Sequence, residues 1–398
     1  MKTKIITRTI WILSLVSLFT DMASEMLYPI MPVFLRSIGF SFVLIGVLEG
    51  FAEAVAGISK GYFGKKSDVT GKRLPFVQFG YALSAISKPM MAAFIYPLWI
   101  FFARTIDRLG KGIRTGARDA MLSDECVAEN KGKVFGFHRS MDTMGAVLGP
   151  AIALVYLYYH PANYKTLFII AFFPGVAAIL FTLFIKEKNR RNETEIPKEK
   201  NFFVVFSYWK QSSTEYKRLL IGLLLFATFN SSDVFLLLRM KESGLADTAV
   251  IGVYIFYNLV FALLAYPVGI LADKIGLKKV FLAGLFVFAI VYAGFAVNND
   301  LIIFFVLFFL YGLYAAATEG ISKAWISNIV SGNETATAIG TFSGLQSICA
   351  LLASSLTGFL WYKFGSVTTF TITTVVTLLV ILYLSQATSK SLRQRRKT

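Results

Sequence analysis

The chain has 398 residues, of which 56% are hydrophobic and 16% charged, with a net charge of +17 and a mean hydropathy of +0.63. A soluble domain cannot cover its surface with so little polarity, so the composition excludes that class and points to a polytopic membrane protein. The positive charge sits in short loops and tails, as on cytoplasmic loops, which argues against a nucleic-acid surface.

A membrane span needs about 20 mainly apolar residues. The first candidate follows a basic start, MKTKIITRTIWILSLVSLF, and runs on into DMASEMLYPIMPVFL without a small-residue cleavage site, so it reads as a retained span rather than a signal peptide. In chain order the candidates lie near 10–36, 40–63, 74–95, 98–122, 132–158, 164–186, 217–240, 247–272, 278–298, 301–328, 336–361 and 366–387. The expectation is an all-α membrane protein of 12 transmembrane helices in two six-helix halves, 1–186 and 217–398, joined by a polar cytoplasmic linker, 187–216. Within that linker FFVVFSYWK is expected to lie on the membrane surface. Lys and Arg crowd the tail KSLRQRRKT, the linker and the loop GKKSDVTGKR, so both termini are expected in the cytoplasm.

The two halves repeat. Asp68 and Asp273 are 205 positions apart, Ile45-Gly46-Val47 recurs 206 positions on at Ile251-Gly252-Val253, and Gly112-Ile113 recurs 208 positions on at Gly320-Ile321. Duplicated six-span halves are the build of many secondary transporters, with the substrate site near the membrane midplane. Cys126 and Cys349 lie far apart, and neither a metal-ligand spacing, a cofactor loop nor a GxxxxGK[ST] phosphate loop occurs. The expectation is a chain without cofactor or metal, not driven directly by ATP.

The loop carrying Gly64, Asp68, Gly71, Lys72 and Arg73, with its second copy Gly269, Asp273, Gly276, Lys278 and Lys279, resembles the signature loop of the major facilitator superfamily. Gly136, Gly145, Gly149 and Pro150 match the fifth-span pattern of that family's proton-coupled antiporters, although the Gly pair that follows there is Ala153-Leu154 here. Small residues at that spacing let helices approach closely and Pro bends one of them. Pro29-Ile30-Met31-Pro32 resembles the end of span one in drug-exporter-like members. The resemblance implies a bacterial inner-membrane transporter working by alternating access, usually as a monomer, with Asp68, Arg73, Asp273 and Lys278 in gating.

Ionisable residues at membrane depth are costly, roughly 2.5–3.5 kcal/mol each on insertion scales, and usually line a cavity and pair. Asp21 and Glu25 share a face of span one, and Glu49 and Glu53 share a face of span two. The stretch FFARTIDRLGKGIRTGARDAM places Arg104, Arg108 and Lys111 on one stripe of span four, while Arg114, Arg118 and Asp119 are expected nearer the cytoplasmic boundary as gate or headgroup contacts. Arg104 stands where the family's fourth-span motif has its Arg, but Asp107 and Arg108 replace an uncharged polar residue and Gly, which implies a more charged cavity than a drug exporter's. On span five His138 and Asp142 share a face.

An arginine within reach keeps a carboxylate ionised; withdrawing it, or filling the site, lets the carboxylate take a proton. Asp21, Glu25, Glu49, Glu53 and Asp142 are therefore the candidate proton carriers, with Asp21 or Glu25 working against Arg104 and Arg108. Arg104, Arg108 and Lys111, with Asn230, Asp233, Tyr257 and Asn258 of the second half, are the candidate substrate contacts. Arg recognises acidic groups through forked hydrogen bonds. The expected activity is export by proton antiport of a polar, anionic molecule such as an organic acid, a phosphate ester or a carboxylate siderophore. The alternatives are proton-driven uptake of such an anion, export of lipophilic cations, or a non-transporting sensor or enzyme built on His138 and Asp142.

Overall fold

The structure, a computed structural model, describes residues 5–28, 30–31, 34–35, 38–39, 42–160, 163–187, 204–245 and 247–387. Among these residues the regular structure is helical: α1 (Arg8–Glu25), α2 (Phe42–Thr70), α3 (Leu74–Ala93), α4 (Pro97–Asp124), α5 (Lys131–Tyr159), α6 (Tyr164–Thr182), α7 (Val204–Gln211), α8 (Thr214–Ala227), α9 (Val234–Glu242), α10 (Asp247–Ile275), α11 (Leu277–Val297), α12 (Leu301–Ile329) and α13 (Thr335–Ala387), the last broken at Gly365, where φ is 79°. Seven helical stretches among the described residues are long and apolar enough to cross a membrane. The 28-residue α4 has the length to span a bilayer, but it carries the charge cluster noted above.

Local sequence explains the helix ends. Thr7 caps α1, Ser213 caps α8, and Asp300 caps α12 by accepting from the Ile302 and Ile303 amides at 2.8 and 3.2 Å. Glu187 reaches back to the amides of Arg73 and Leu74 at the start of α3. The two repeated loops turn on glycines at positive φ, Gly71 at 66° and Gly276 at 105°, a conformation that side chains resist. Asn230, Ser231 and Ser232 fall in the break between α8 and α9, where the polar run interrupts the apolar one.

The chain forms two compact units. Unit 1 comprises 1–127, 137–208 and 331–347; unit 2 comprises 128–136, 209–330 and 348–398. In unit 2, Phe281, Leu285, Phe288, Tyr292 and Phe295 recur at steps of three and four on α11 and are all buried. They meet Phe304, Phe308 and Tyr311 at the same steps on α12, with Phe295 5.1 Å from Phe304 and 5.3 Å from Phe308. That period makes a straight seam between two helices. In unit 1 Met26, Phe34, Met91, Ile100, Leu167, Phe168 and neighbours pack into an apolar core.

What positions the polar groups of unit 1 is a close crossing of α3 and α4. A Cβ added at Gly80 would lie 2.6 Å from the Gly110 carbonyl oxygen, and one added at Gly110 would lie 2.5 Å from that of Gly80. Small residues allow such backbone contact between membrane helices. Gly110→Ala is expected to cost about 1–3 kcal/mol, because backbone rather than a flexible side chain must move. Gly358→Ala, whose Cβ would meet Phe235 at an ordinary 3.7 Å, is expected to be neutral or slightly stabilising. Unfolding of the two purified variants in a denaturing detergent series measures the difference.

Candidate functional site

The α3–α4 crossing carries Tyr81, Ser84 and Lys88 onto the charged stripe of α4. Lys88 Nζ is 2.7 Å from Asp107 Oδ1, and Arg104 approaches the other oxygen of the same carboxylate at 3.4 Å. Lys88 is 2% exposed and Asp107 5%. Arg114 donates to Ser84 Oγ at 2.6 Å and lies 4.5 Å from the centre of the Tyr81 ring. Arg104 thus pairs with Asp107, one turn along its own helix, and also acts on Glu25. The basic groups that act most strongly on Glu25 are Lys111 and then Arg108.

A second knot joins α1, α4 and α5. Asp142 pairs with Arg139 at 2.6 Å and accepts a short hydrogen bond from Ser17. Arg118 donates to the same Ser17 at 3.2 Å and pairs with Asp119 at 2.9 Å. Ser14 Oγ and His138 Nδ1 lie 3.4 Å apart one turn away. Arg114 and Arg118 are 5% and 9% exposed, so Arg114 is a buried member of the first knot and Arg118 of this one, and neither is a lipid-headgroup contact. Their partners Ser84 and Ser17 come from other helices, which spacing along α4 does not reveal.

Asp21 and Glu25 stand half-buried beside these knots, one and two turns beyond Ser17 on α1. Asp21 is adjacent to Gly145 of α5, whose added Cβ would be 3.1 Å from its own. Gly149 packs against Met22 of α1 and Met26 just past its end in the same way. Asp142, Glu25, Lys111 and Arg139 all act electrostatically on Asp21. Lys111 is exposed and Arg108 half-buried. The structure therefore assembles Asp21, Glu25, Asp142, Arg108 and Lys111 in unit 1. The side chains of Glu49 and Glu53 lie outside the described residues.

The repeated loops share one geometry. In unit 1 Asp68 accepts from both the amide and the hydroxyl of Thr337 at 2.7 Å, at the start of α13, and pairs with Arg73 at 2.9 Å. Arg73 also pairs with Asp124 at 2.9 Å. In unit 2 Asp273 accepts from the amides of Gly132 and Lys133, both at 2.7 Å, at the start of α5. Each carboxylate thus satisfies orphan amides at the positive end of a helix. Lys278 does not join Asp273; it donates to the Ser385 carbonyl at 2.9 Å. Gly136 packs on Ala265 and Gly269, beside the Asp273 loop, and Pro150 lies inside α5.

In unit 2 the predicted contacts gather around tyrosines. Asp233 accepts from Tyr311 Oη at 2.6 Å, and Asn230 donates to Tyr314 Oη at 3.0 Å. Tyr257 and Tyr311 have ring centres 4.9 Å apart. Asn258, 7% exposed, donates to the Tyr254 carbonyl of its own helix. Sequence reasoning passed over Ser17, Ser84, Tyr311 and Tyr314, although Tyr311 and Tyr314 stand at i,i+3 in an apolar run.

The Major Facilitator Superfamily pattern matches residues 13–259 and 234–397. The chain belongs to the major facilitator superfamily. It is 33% identical over 363 residues to an uncharacterised MFS-type transporter of Methanocaldococcus jannaschii, covering 89% of both chains. It is 24% identical over 365 residues to an uncharacterised protein of Mycobacterium tuberculosis, covering 89% of this chain and 87% of the other. In fold it matches the human organic anion transporter TETRAN with a TM-score of 0.79 at 15% identity, over 95% of this chain and 99% of that one. It matches the fucose:proton symporter FucP of E. coli with a TM-score of 0.78 at 12% identity, over 96% and 99%. This superfamily member is a multi-pass membrane protein and a secondary transporter rather than an enzyme.

Proposed function

We propose that this superfamily member is a proton-coupled antiporter that exports a polar, anionic small molecule by alternating access. The observation that carries this reading is the cluster in unit 1, where Asp21 and Glu25 stand half-buried within electrostatic reach of Lys111, and Glu25 also of Arg108. Salt bridges fix Asp107, Asp119 and Asp142 close to arginine or lysine. Among the described residues, Asp21 and Glu25 are acids placed to exchange a proton as a substrate anion approaches the bases. Lys111 and Arg108 are the groups that would meet that anion, with Arg104 behind them.

In this reading the chain has twelve spans, works as a monomer in the cytoplasmic membrane and keeps both termini in the cytoplasm. Asp68, Arg73 and Asp273 act in gating through the helix ends they cap. The fold is shared with one transporter described as acting on organic anions and another described as a proton symporter.

Thermal unfolding of the purified protein in the presence of candidate ligands tests the substrate class, since binding to the folded state raises the melting temperature. Citrate-type acids, phosphate esters and carboxylate siderophores are expected to stabilise the wild type, and Arg108→Gln to remove the effect. Stabilisation by lipophilic cations alone would make the bases counter-ions of the acids and the protein a drug-type exporter.

A further inference from the structure

Asp233 differs from the salt-bridged acids of unit 1. There Asp68, Asp107, Asp119 and Asp142 each have an Arg or Lys nitrogen at 2.6–2.9 Å. Asp233 sits half-buried at the break between α8 and α9, and its hydrogen-bonded side-chain partner is a neutral phenol, Tyr311. The charged side chain that acts on it from the packed helices is another acid, Glu319 of α12. Around it stand tyrosine rings: Tyr257 is 4.9 Å from Tyr311 and Tyr311 is 5.3 Å from Tyr314, centre to centre. Tyr257 and Tyr292 also lie within the field of the Asp233 carboxylate.

A half-buried carboxylate whose side-chain partner is a neutral phenol, set among aromatic rings, repels an anion. It is complementary to a positive group, which gains an ion pair with the carboxylate and the attraction of electron-rich ring faces. Tyr311 holds one carboxylate oxygen and fixes the direction of the group. We propose that Asp233, positioned by Tyr311, binds a protonated amine on the transported molecule. The proposal rests on the reading that the chain moves a polar small molecule, and it adds an amine to that molecule's chemistry.

Three probes on one skeleton separate the two charges: phenethylammonium, 3-phenylpropionate and the zwitterion phenylalanine. Their affinities are read from the melting temperature of the purified full-length protein against probe concentration. Phenethylammonium and phenylalanine are expected to stabilise the wild type. Asp233→Asn, which keeps an oxygen for Tyr311, is expected to weaken both by at least about tenfold and leave 3-phenylpropionate unchanged, with Asp233→Glu restoring part of the loss. Tyr311→Phe gives a smaller loss of the same two probes. Arg108→Gln gives the reverse pattern, weakening the carboxylate probes alone. If Arg108→Gln changes nothing while the Asp233 pattern holds, the anion reading fails and the cation site stands. The proposal is overturned if phenethylammonium does not stabilise the wild type at ~10 mM, or if Asp233→Asn binds it as tightly as the wild type.

Discussion

Asp21→Asn and Glu25→Gln proteins are expected to fold and to exchange internal for external substrate, yet to fail to accumulate substrate against its gradient when a pH difference is imposed. Exchange needs the binding site and the conformational change; accumulation needs a group that loads and unloads a proton in step with them. Asp21 lies against the α1–α5 contact at Gly145, within reach of Lys111 and Arg139, and Glu25 one turn further is governed by Lys111 and Arg108. Neutralising either removes a titrating carboxylate without deleting a salt bridge of the two knots. Gradient-driven uptake into vesicles beside equilibrium exchange makes the measurement. Coupling at the wild-type level in both variants would show that the proton is carried elsewhere.

The largest loss of stability is expected from Asp107→Asn. Its carboxylate answers two buried cations, Lys88 at 2.7 Å and Arg104 at 3.4 Å. Removing the anion leaves Lys88, 2% exposed, as an uncompensated charge between α3 and α4. Breaking a buried pair by deleting one partner costs about 3–5 kcal/mol. Lys88→Met is expected to cost less, because Arg104 still neutralises Asp107 and the thioether fills the space of the lysine stem. Unfolding curves of the two variants give the order; a Lys88→Met protein less stable than Asp107→Asn would show that Arg104 does not neutralise Asp107 and that Lys88 is its main partner.

The architecture was legible because it is written in periodicities and in a duplication. Asp68 and Asp273 recur at the repeat offset and do the same work, each accepting amides at the start of a helix. Gly71 and Gly276 turn the two loops as their positions suggest. The charged faces of α1 and α4 were also visible from helical spacing. Their pairing was not. Arg104 meets an acid three residues away on its own helix, and Lys88 reaches that acid because Gly80 and Gly110 let two backbones touch. Spacing along one helix carries no information about such a crossing. The partners of Arg114 and Arg118 were hidden for the same reason, since Ser84 and Ser17 come from other helices. Tyr311 and Tyr314 were overlooked because tyrosines in an apolar run look like packing until an acid from another helix is seen beside one of them.

Proton coupling is the central claim, and a pH reporter sealed inside vesicles containing the purified protein tests it most directly. With the membrane voltage clamped, the anion selected by thermal stabilisation is added outside and the internal pH is followed as it enters. Antiport predicts that protons leave as substrate enters, so the lumen becomes alkaline, and that the Asp21→Asn protein gives no signal. Acidification of the lumen would reveal symport and reverse the assigned direction, and substrate entry with no change in pH would contradict proton coupling altogether.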